Sequence, residues 1–216
     1  MARILSTKKL KLNQQMLLLN ADCSFVEYDA IKIEYVPFEV PEIIENAIFT
    51  SQNSVKSILN LEFRIQNCFC VGEKTASLLN ENGQNVVKIT EYGSDLADFI
   101  VKKQKNELFY FFCGNKRLDT IPAELKKANI EIIEIETYKT SLNLKQFKQD
   151  FDAILLFSPS GVQSFFEANK FQKIDSQFIC IGETTASETR KYSEKVTVSN
   201  STSVESVIAK AVKILK

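Results

Sequence analysis

Val71-Gly72-Glu73-Lys74-Thr75-Ala76-Ser77 returns later in the chain as Ile181-Gly182-Glu183-Thr184-Thr185-Ala186-Ser187, identical at five of seven positions. A second pair lies upstream in the same order: Ile48-Phe49-Thr50-Ser51-Gln52-Asn53-Ser54-Val55 resembles Leu155-Leu156-Phe157-Ser158-Pro159-Ser160-Gly161-Val162. The two matches stand at offsets of 107 and 110 residues, and collinear repeats of this kind point to a duplicated structural unit. Each copy is an apolar strand that breaks into small or hydroxyl-bearing turn residues and then a helix, as in an α/β unit.

Outward from these turns, short runs rich in Ile, Val, Phe and Leu alternate with helix-period segments. Strands are expected at Arg3 to Ser6, Ala30 to Tyr35, Ala47 to Thr50, Asn67 to Val71, Val86 to Ile89, Leu108 to Cys113, Ile130 to Thr137, Ala153 to Phe157, Phe178 to Ile181 and Lys195 to Val198. Helical stripes fall on Val55, Ile58 and Leu59; Ile121, Leu125 and Ala128; Val162, Phe165 and Phe166; and Val204, Val207, Ile208, Ala211, Val212 and Leu215. The expected fold class is α/β, with two similar parallel-sheet domains. A purely linear repeat would divide the chain near Lys105.

Composition narrows the function. The 216 residues are 44% hydrophobic and 25% charged, which excludes disorder and leaves room for two units of about 100 residues. With 27 basic and 27 acidic side chains the formal charge is zero, so no overall field attracts nucleic acid or an anionic membrane. The chain has no histidine, which removes the commonest general base, the Ser-His triad and every His-containing metal site. Its five cysteines show no C-x-x-C spacing and read as reduced, buried thiols, so no metal is expected. No secretory segment or membrane-length apolar run is present, and a cytoplasmic protein is expected. Walker and G-x-G-x-x-G patterns are missing, so no nucleotide cofactor is expected.

The repeated turns carry the candidate chemistry. At the start of a helix, free backbone N–H groups and the helix dipole make an anion site. This reading selects Thr50, Ser51 and Asn53; Gly72 and Thr75; Ser158, Ser160 and Gly161; and Gly182, Thr184 and Thr185 as ligand-binding residues. The same hydroxyl and amide residues also suit helix N-caps. The ordered repetition of four turns favours a ligand, held in a cleft between the two domains beyond the carboxyl ends of the strands. A further turn, Cys113-Gly114-Asn115-Lys116-Arg117, adds a glycine for close approach and two cations, or is simply a solvated basic loop.

Taken together, Phe49-Thr50-Ser51-x-x-x-Val55, Val71-Gly72-x-x-Thr75-Ala76, Gly114 with Leu118 and Leu125, the segment with Tyr138 and Thr140, Phe157-Ser158-Pro159-Ser160-Gly161-Val162 and Ile181-Gly182-x-Thr184-Thr185-Ala186 resemble the uroporphyrinogen-III synthase family over essentially the whole chain. The resemblance implies a discontinuous domain of residues 1–33 plus 143–216 and an inserted domain of residues 34–142. A two-stranded linker near 33–36 and 139–143 would join them as a hinge. It implies a cofactor-independent lyase that closes the linear tetrapyrrole hydroxymethylbilane, with inversion of ring D and loss of water, in haem biosynthesis. Tyr138 matches the family's tyrosine near the linker and takes the catalytic role, its phenol assisting departure of the hydroxyl; Tyr138→Phe should slow turnover without abolishing it. Gly114 and Asn115 join the turns named above as substrate-binding residues. A monomer is expected, with transient contact to the enzyme that makes hydroxymethylbilane. Where the family often carries Arg after the first strand, this chain has Leu5-Ser6-Thr7-Lys8-Lys9, and an ammonium does not reproduce bidentate guanidinium binding. The competing readings are a non-catalytic two-domain binding module or sensor for an anionic small molecule, and a protein-interaction module in which the turns only cap helices.

Overall fold

The computed structural model describes residues 1–59, 61–104 and 107–216; Lys105, where a linear division would fall, lies outside them. The chain forms two compact units, one of Met1–Lys32 with Ser141–Lys216 and one of Ile33–Thr140. The discontinuous unit begins with β1 (Arg3–Ser6), α1 (Leu12–Leu19) and β2 (Ser24–Glu27). Strand β3 (Ile31–Tyr35) leads to the inserted unit: β4 (Ile43–Phe49), α2 (Gln52–Ile58), β5 (Arg64–Val71), α3 (Glu73–Glu81), β6 (Val86–Thr90), α4 (Gly93–Lys103), β7 (Leu108–Gly114), α5 (Thr120–Lys127) and β8 (Glu131–Leu142). The chain then completes the first unit with β9 (Ala153–Leu156), α6 (Pro159–Ala168), β10 (Gln177–Cys180), α7 (Glu183–Thr189), β11 (Val196–Val198) and α8 (Val204–Leu215).

One sheet has the order β2-β1-β9-β10-β11 and the other β3-β8-β7-β4-β5-β6. Every pairing from β2 to β11, and from β8 to β6, is parallel. Match β4 to β9 and each later element to its successor, and let the N-terminal β1-α1-β2 stand for β7-α5-β8. The two strand orders are then the same. The discontinuous unit is thus a second copy of the inserted one whose last two strands come from the start of the chain.

Helices cover both faces of each sheet. In the inserted unit α2 and α3 bury Val55, Ile58, Ala76 and Leu79 on one face, while α4 and α5 bury Leu96, Ala97, Ile100, Ile121 and Leu125 on the other. In the discontinuous unit α6 and α7 share one face, and α1 and α8 the other. Strand β9 therefore sends Ile154 and Leu156 one way and Ala153 and Leu155 the other, and β7 parts Phe109 and Phe111 from Phe112. Double-sided burial is why these strands read as unbroken apolar runs. Phe112 stacks on Phe49 at 5.1 Å and on Phe63 at 6.0 Å. Full burial of each such ring contributes about 1.5–3 kcal/mol.

The structure differs from the sequence pattern at a few places. Strand β2 has no counterpart among the expected strands: all four of its residues are half-buried at a sheet edge, so it shows neither an apolar run nor clean alternation. Strand β4 starts at Ile43 rather than Ala47, and β8 runs on to Leu142. Leu59 is not on the buried stripe of α2; it is the C-cap residue and is exposed.

Candidate functional site

In the inserted unit β4 and β7 lie side by side, yet the helices that follow them go to opposite faces, α2 to one and α5 to the other. The sheet order reverses at this point, and a crevice opens there beyond the carboxyl ends of the strands. A cavity of about 310 Å³ occupies this crevice. It is lined by Thr50 and Ser51 after β4, Val71 at the end of β5, Gly114 at the end of β7, Lys116, Arg117 and Leu118 in the following loop, Tyr138 of β8, and Phe111, Thr120, Ile121 and Gly93.

The local chemistry of the chain builds each wall. Ser51 is extended, with φ −151°, and its Oγ accepts from the Asn53 N–H at 3.1 Å, capping α2. The register of β7 and β8 slips at the strand end: Cys113 pairs with Glu136, but Gly114 pairs with Tyr138. Asn115 prolongs the pairing. Its N–H donates to the Tyr138 carbonyl at 3.3 Å, its Oδ1 accepts from the Thr140 N–H at 2.8 Å, and its Nδ2 donates to the Thr140 carbonyl at 3.4 Å. The Asn115 amide is therefore committed to the sheet.

Lys116 and Arg117 are not equivalent cations. Arg117 donates to Asp119 at 3.0 Å and is paired with Glu134, which also holds Lys126 at 3.1 Å. Partial burial pulls the Arg117 pKa down; the charge and hydrogen bond of Glu134, with the Asp119 bond, more than offset this and hold it above its ordinary value. Lys116 is exposed at the cavity and makes no ion pair among the described residues. Arg117 thus ties the loop to α5 and β8, and Lys116 carries the available charge.

Of the sequence-selected residues, the cavity brings together Thr50, Ser51, Gly114 and Tyr138. Asn53 lies in the first turn of α2, and Asn115 faces β8. Gly72 is the N-cap of α3 with φ +87°, and Thr75 is buried beneath that turn. The remaining residues belong to the discontinuous unit. Ser158 caps α6, its Oγ accepting from the Gly161 N–H at 3.1 Å, with Ser160 in the same first turn. Gly182 caps α7 in extended backbone, Thr184 is exposed and Thr185 is buried. Two larger cavities in that unit, of about 580 and 760 Å³, are lined by none of the selected residues; the larger includes Asp152 and Ser176, which precede β9 and β10. Sequence reasoning missed Glu134: its partner lies 17 residues away on another element, and no local pattern announces the pair.

All five cysteines are buried and free. Burial pushes the Cys68 thiol up to about 12 and the Cys70 and Cys113 thiols up to about 11. Among the described residues no group of three or more cysteine or carboxylate side chains is placed to hold a metal ion, and no helix is long and apolar enough to cross a membrane.

Residues 23–209 match the family model described as uroporphyrinogen-III synthase HemD. Among solved structures, the chain is similar to uroporphyrinogen-III synthetase from Helicobacter pylori, with 16% identity over 99% of this chain and 100% of that one and a TM-score of 0.74. It is also similar to a mutant uroporphyrinogen III synthase from the extremely thermophilic bacterium Thermus thermophilus, with 15% identity over 100% of both chains and a TM-score of 0.69. At these identities the structural likeness speaks for the fold.

Proposed function

This chain belongs to the uroporphyrinogen-III synthase family, a lyase family of tetrapyrrole biosynthesis, and we propose that the cavity at the β4–β7 crevice is where it closes hydroxymethylbilane. The observation that carries this reading is the convergence, in one cavity, of the Tyr138 phenol, the Thr50 and Ser51 turn and the exposed Lys116. The substrate carries carboxylates on all four of its pyrroles. A cavity of about 310 Å³ holds only a part of such a molecule, and the rest engages residues outside it. Backbone donors and short hydroxyl side chains bind carboxylates with little ordering cost, and Lys116 adds one charge.

The pyrroles supply most of the electronic drive of the reaction. What the chain adds is conformation and help for the leaving group. Tyr138 donates a hydrogen bond, and then its proton, to the terminal hydroxyl, which leaves as water. The resulting azafulvene cation is attacked by the substituted end of ring D, giving a spiro intermediate that rearranges to the inverted macrocycle. The proton released as the last ring regains aromaticity restores the phenol, so the net loss is one molecule of water. Thr50 and Ser51 hold the reacting end in a near-attack arrangement, while Lys116 binds a carboxylate equally in the ground and transition states.

Hydroxymethylbilane generated in situ, with products oxidised and separated, tests the reading directly. Uncatalysed closure gives the uninverted type I isomer, so predominant type III uroporphyrin is expected from the active chain. Unchanged type I in the presence of folded protein would leave a binding module for an anionic small molecule as the better account.

A further inference from the structure

The ring of Tyr138 occupies the space that a side chain at position 114 would need. A β-carbon built on Gly114 would stand 2.5 Å from both Cε2 and Cζ of Tyr138 and 2.9 Å from its Oη. Non-bonded carbons meet at about 3.5–4.0 Å, so these separations are well inside contact. The backbone gives no other reason for glycine here, because Gly114 is not among the glycines with positive φ. We infer that Gly114 is a positioning residue for Tyr138: its bare α-carbon is the bed on which the phenol ring lies, and it thereby sets where the Oη stands in the cavity. The inference rests on the acid role proposed for Tyr138.

The surrounding backbone is held on both sides of this pair. Asn115 grips β8 at Tyr138 and Thr140, and the buried Thr137 donates from Oγ1 to the Cys113 carbonyl at 3.4 Å. Phe111 and Phe112, just before Gly114, are fully packed on opposite faces of the sheet. A methyl group at position 114 is therefore accommodated by rotation of the Tyr138 side chain and not by movement of the strands. Gly114→Ala moves the phenol without deleting it, which Tyr138→Phe cannot do.

The test is a cycle of G114A, Y138F and G114A/Y138F in the full-length protein, followed by two readouts. The first is the 19F resonance of Tyr138 in 3-fluorotyrosine-labelled protein, assigned by its loss in Y138F. The second is kcat and KM for type III product. We expect G114A to shift the Tyr138 resonance and to lower kcat by about 10- to 100-fold, a part of the hundredfold or more that a positioned acid supplies. In the Y138F background the same substitution should lower kcat little further, the non-additivity of two residues acting through one group. An unmoved resonance, or an equal loss in both backgrounds, overturns the positioning role. A shifted resonance with full activity in both G114A and Y138F overturns it too, and in that case it is the acid role of Tyr138 that has failed. Should G114A fold poorly, G114A/Y138A decides: recovery to the melting temperature of Y138A places the clash on the ring, and no recovery contradicts it.

Discussion

The same strand-to-helix turn folds twice in this molecule, and its two copies are alike in burial and different in the backbone of their glycines and in the strand ends beside them. Residues 71–79 and 181–189 show the same succession of exposed, half-buried and buried positions, with Thr75 and Ala76 answering to Thr185 and Ala186. Ser51 and Ser158 both cap the helix that follows them. The glycines, however, part company: Gly72 needs φ +87°, while Gly182 sits at φ −170° in backbone that any residue adopts. The strands beside the crevices diverge further. Strand β7 ends in Gly114 with Tyr138 lying over it, whereas β1 ends in Ser6, whose Oγ donates to the Lys8 carbonyl at 2.5 Å. Next to it the Thr7 hydroxyl closes on the Leu155 carbonyl at 2.7 Å. Tyr28, which follows β2, is buried in the core with its ring edge on Phe147 and its Oη without a hydrogen-bond partner among the described residues. Duplication kept the scaffold, and a glycine in one copy made room for a phenol at a cavity while hydroxyls filled the corresponding ground in the other.

The two tyrosines give the sharpest way to break this contrast. Tyr138→Phe should cut turnover by about a hundredfold or more, as loss of a positioned acid does, and leave the unfolding midpoint in place. Tyr28→Phe removes a buried hydroxyl that makes no hydrogen bond among the described residues, so it should leave turnover intact and raise stability by about 1 kcal/mol. Reversed results in activity and urea-unfolding assays would place the chemistry in the wrong copy.

The glycines come next. At Gly72 an alanine is forced into backbone that only glycine occupies easily, at a cost of about 1–3 kcal/mol. At Gly182 the new Cβ meets Thr202 at an ordinary 3.6 Å, and stability should stay within about 0.5 kcal/mol. Equal losses in thermal unfolding would mean that the two turns are not distinguished by backbone conformation.

Within the cavity, Lys116→Ala should raise KM about fivefold to tenfold with little change in kcat, the signature of lost uniform binding. Arg117→Ala should act mainly on the melting temperature, because its guanidinium holds the loop to Asp119 and Glu134. A larger KM effect for Arg117 than for Lys116 would exchange their roles.

The smallest effect is a null one, shared by both copies. Thiolates are the reactive form of cysteine, and burial pushes Cys68, Cys70 and Cys113 up to about 12, 11 and 11 and also raises Cys180. Alkylation at pH 8 should therefore be negligible until denaturant is added. Because these folded-state values lie above those of an unfolded thiol, their contribution to stability is complete below about pH 8.5 and is lost as pH rises toward the folded values. Rapid labelling of the native protein at pH 8 would contradict the burial on which this rests.

The architecture is legible in the sequence because both faces of the sheets are covered, which turns strands such as β7 and β9 into apolar runs with turn residues at their ends. The half-buried edge strand β2 lacks that signal. Helix α1 lacks it too, since Leu12, Met16, Leu17 and Leu19 are exposed and only Gln14 and Leu18 are buried. The Ser-rich turns are visible as motifs, and so is the basic loop. Their division of labour is not: whether Asn115 serves a ligand or β8, and which of Lys116 and Arg117 stays unpaired, depends on where β8 lies beside β7. The Gly114–Tyr138 pair is of the same kind, joined by a register slip between residues 24 apart.

The most direct test of the account is the ratio of type III to type I uroporphyrin formed from limiting hydroxymethylbilane by the wild-type chain and by Tyr138→Phe at equal concentration. Spontaneous closure to type I runs alongside the enzyme and acts as an internal clock. The account predicts nearly all type III from the wild type and a clear rise of type I with the variant, which closes the ring too slowly to outrun the clock. An unchanged ratio at low enzyme, with type III still dominant, would contradict it and move the leaving-group assistance away from the β4–β7 crevice.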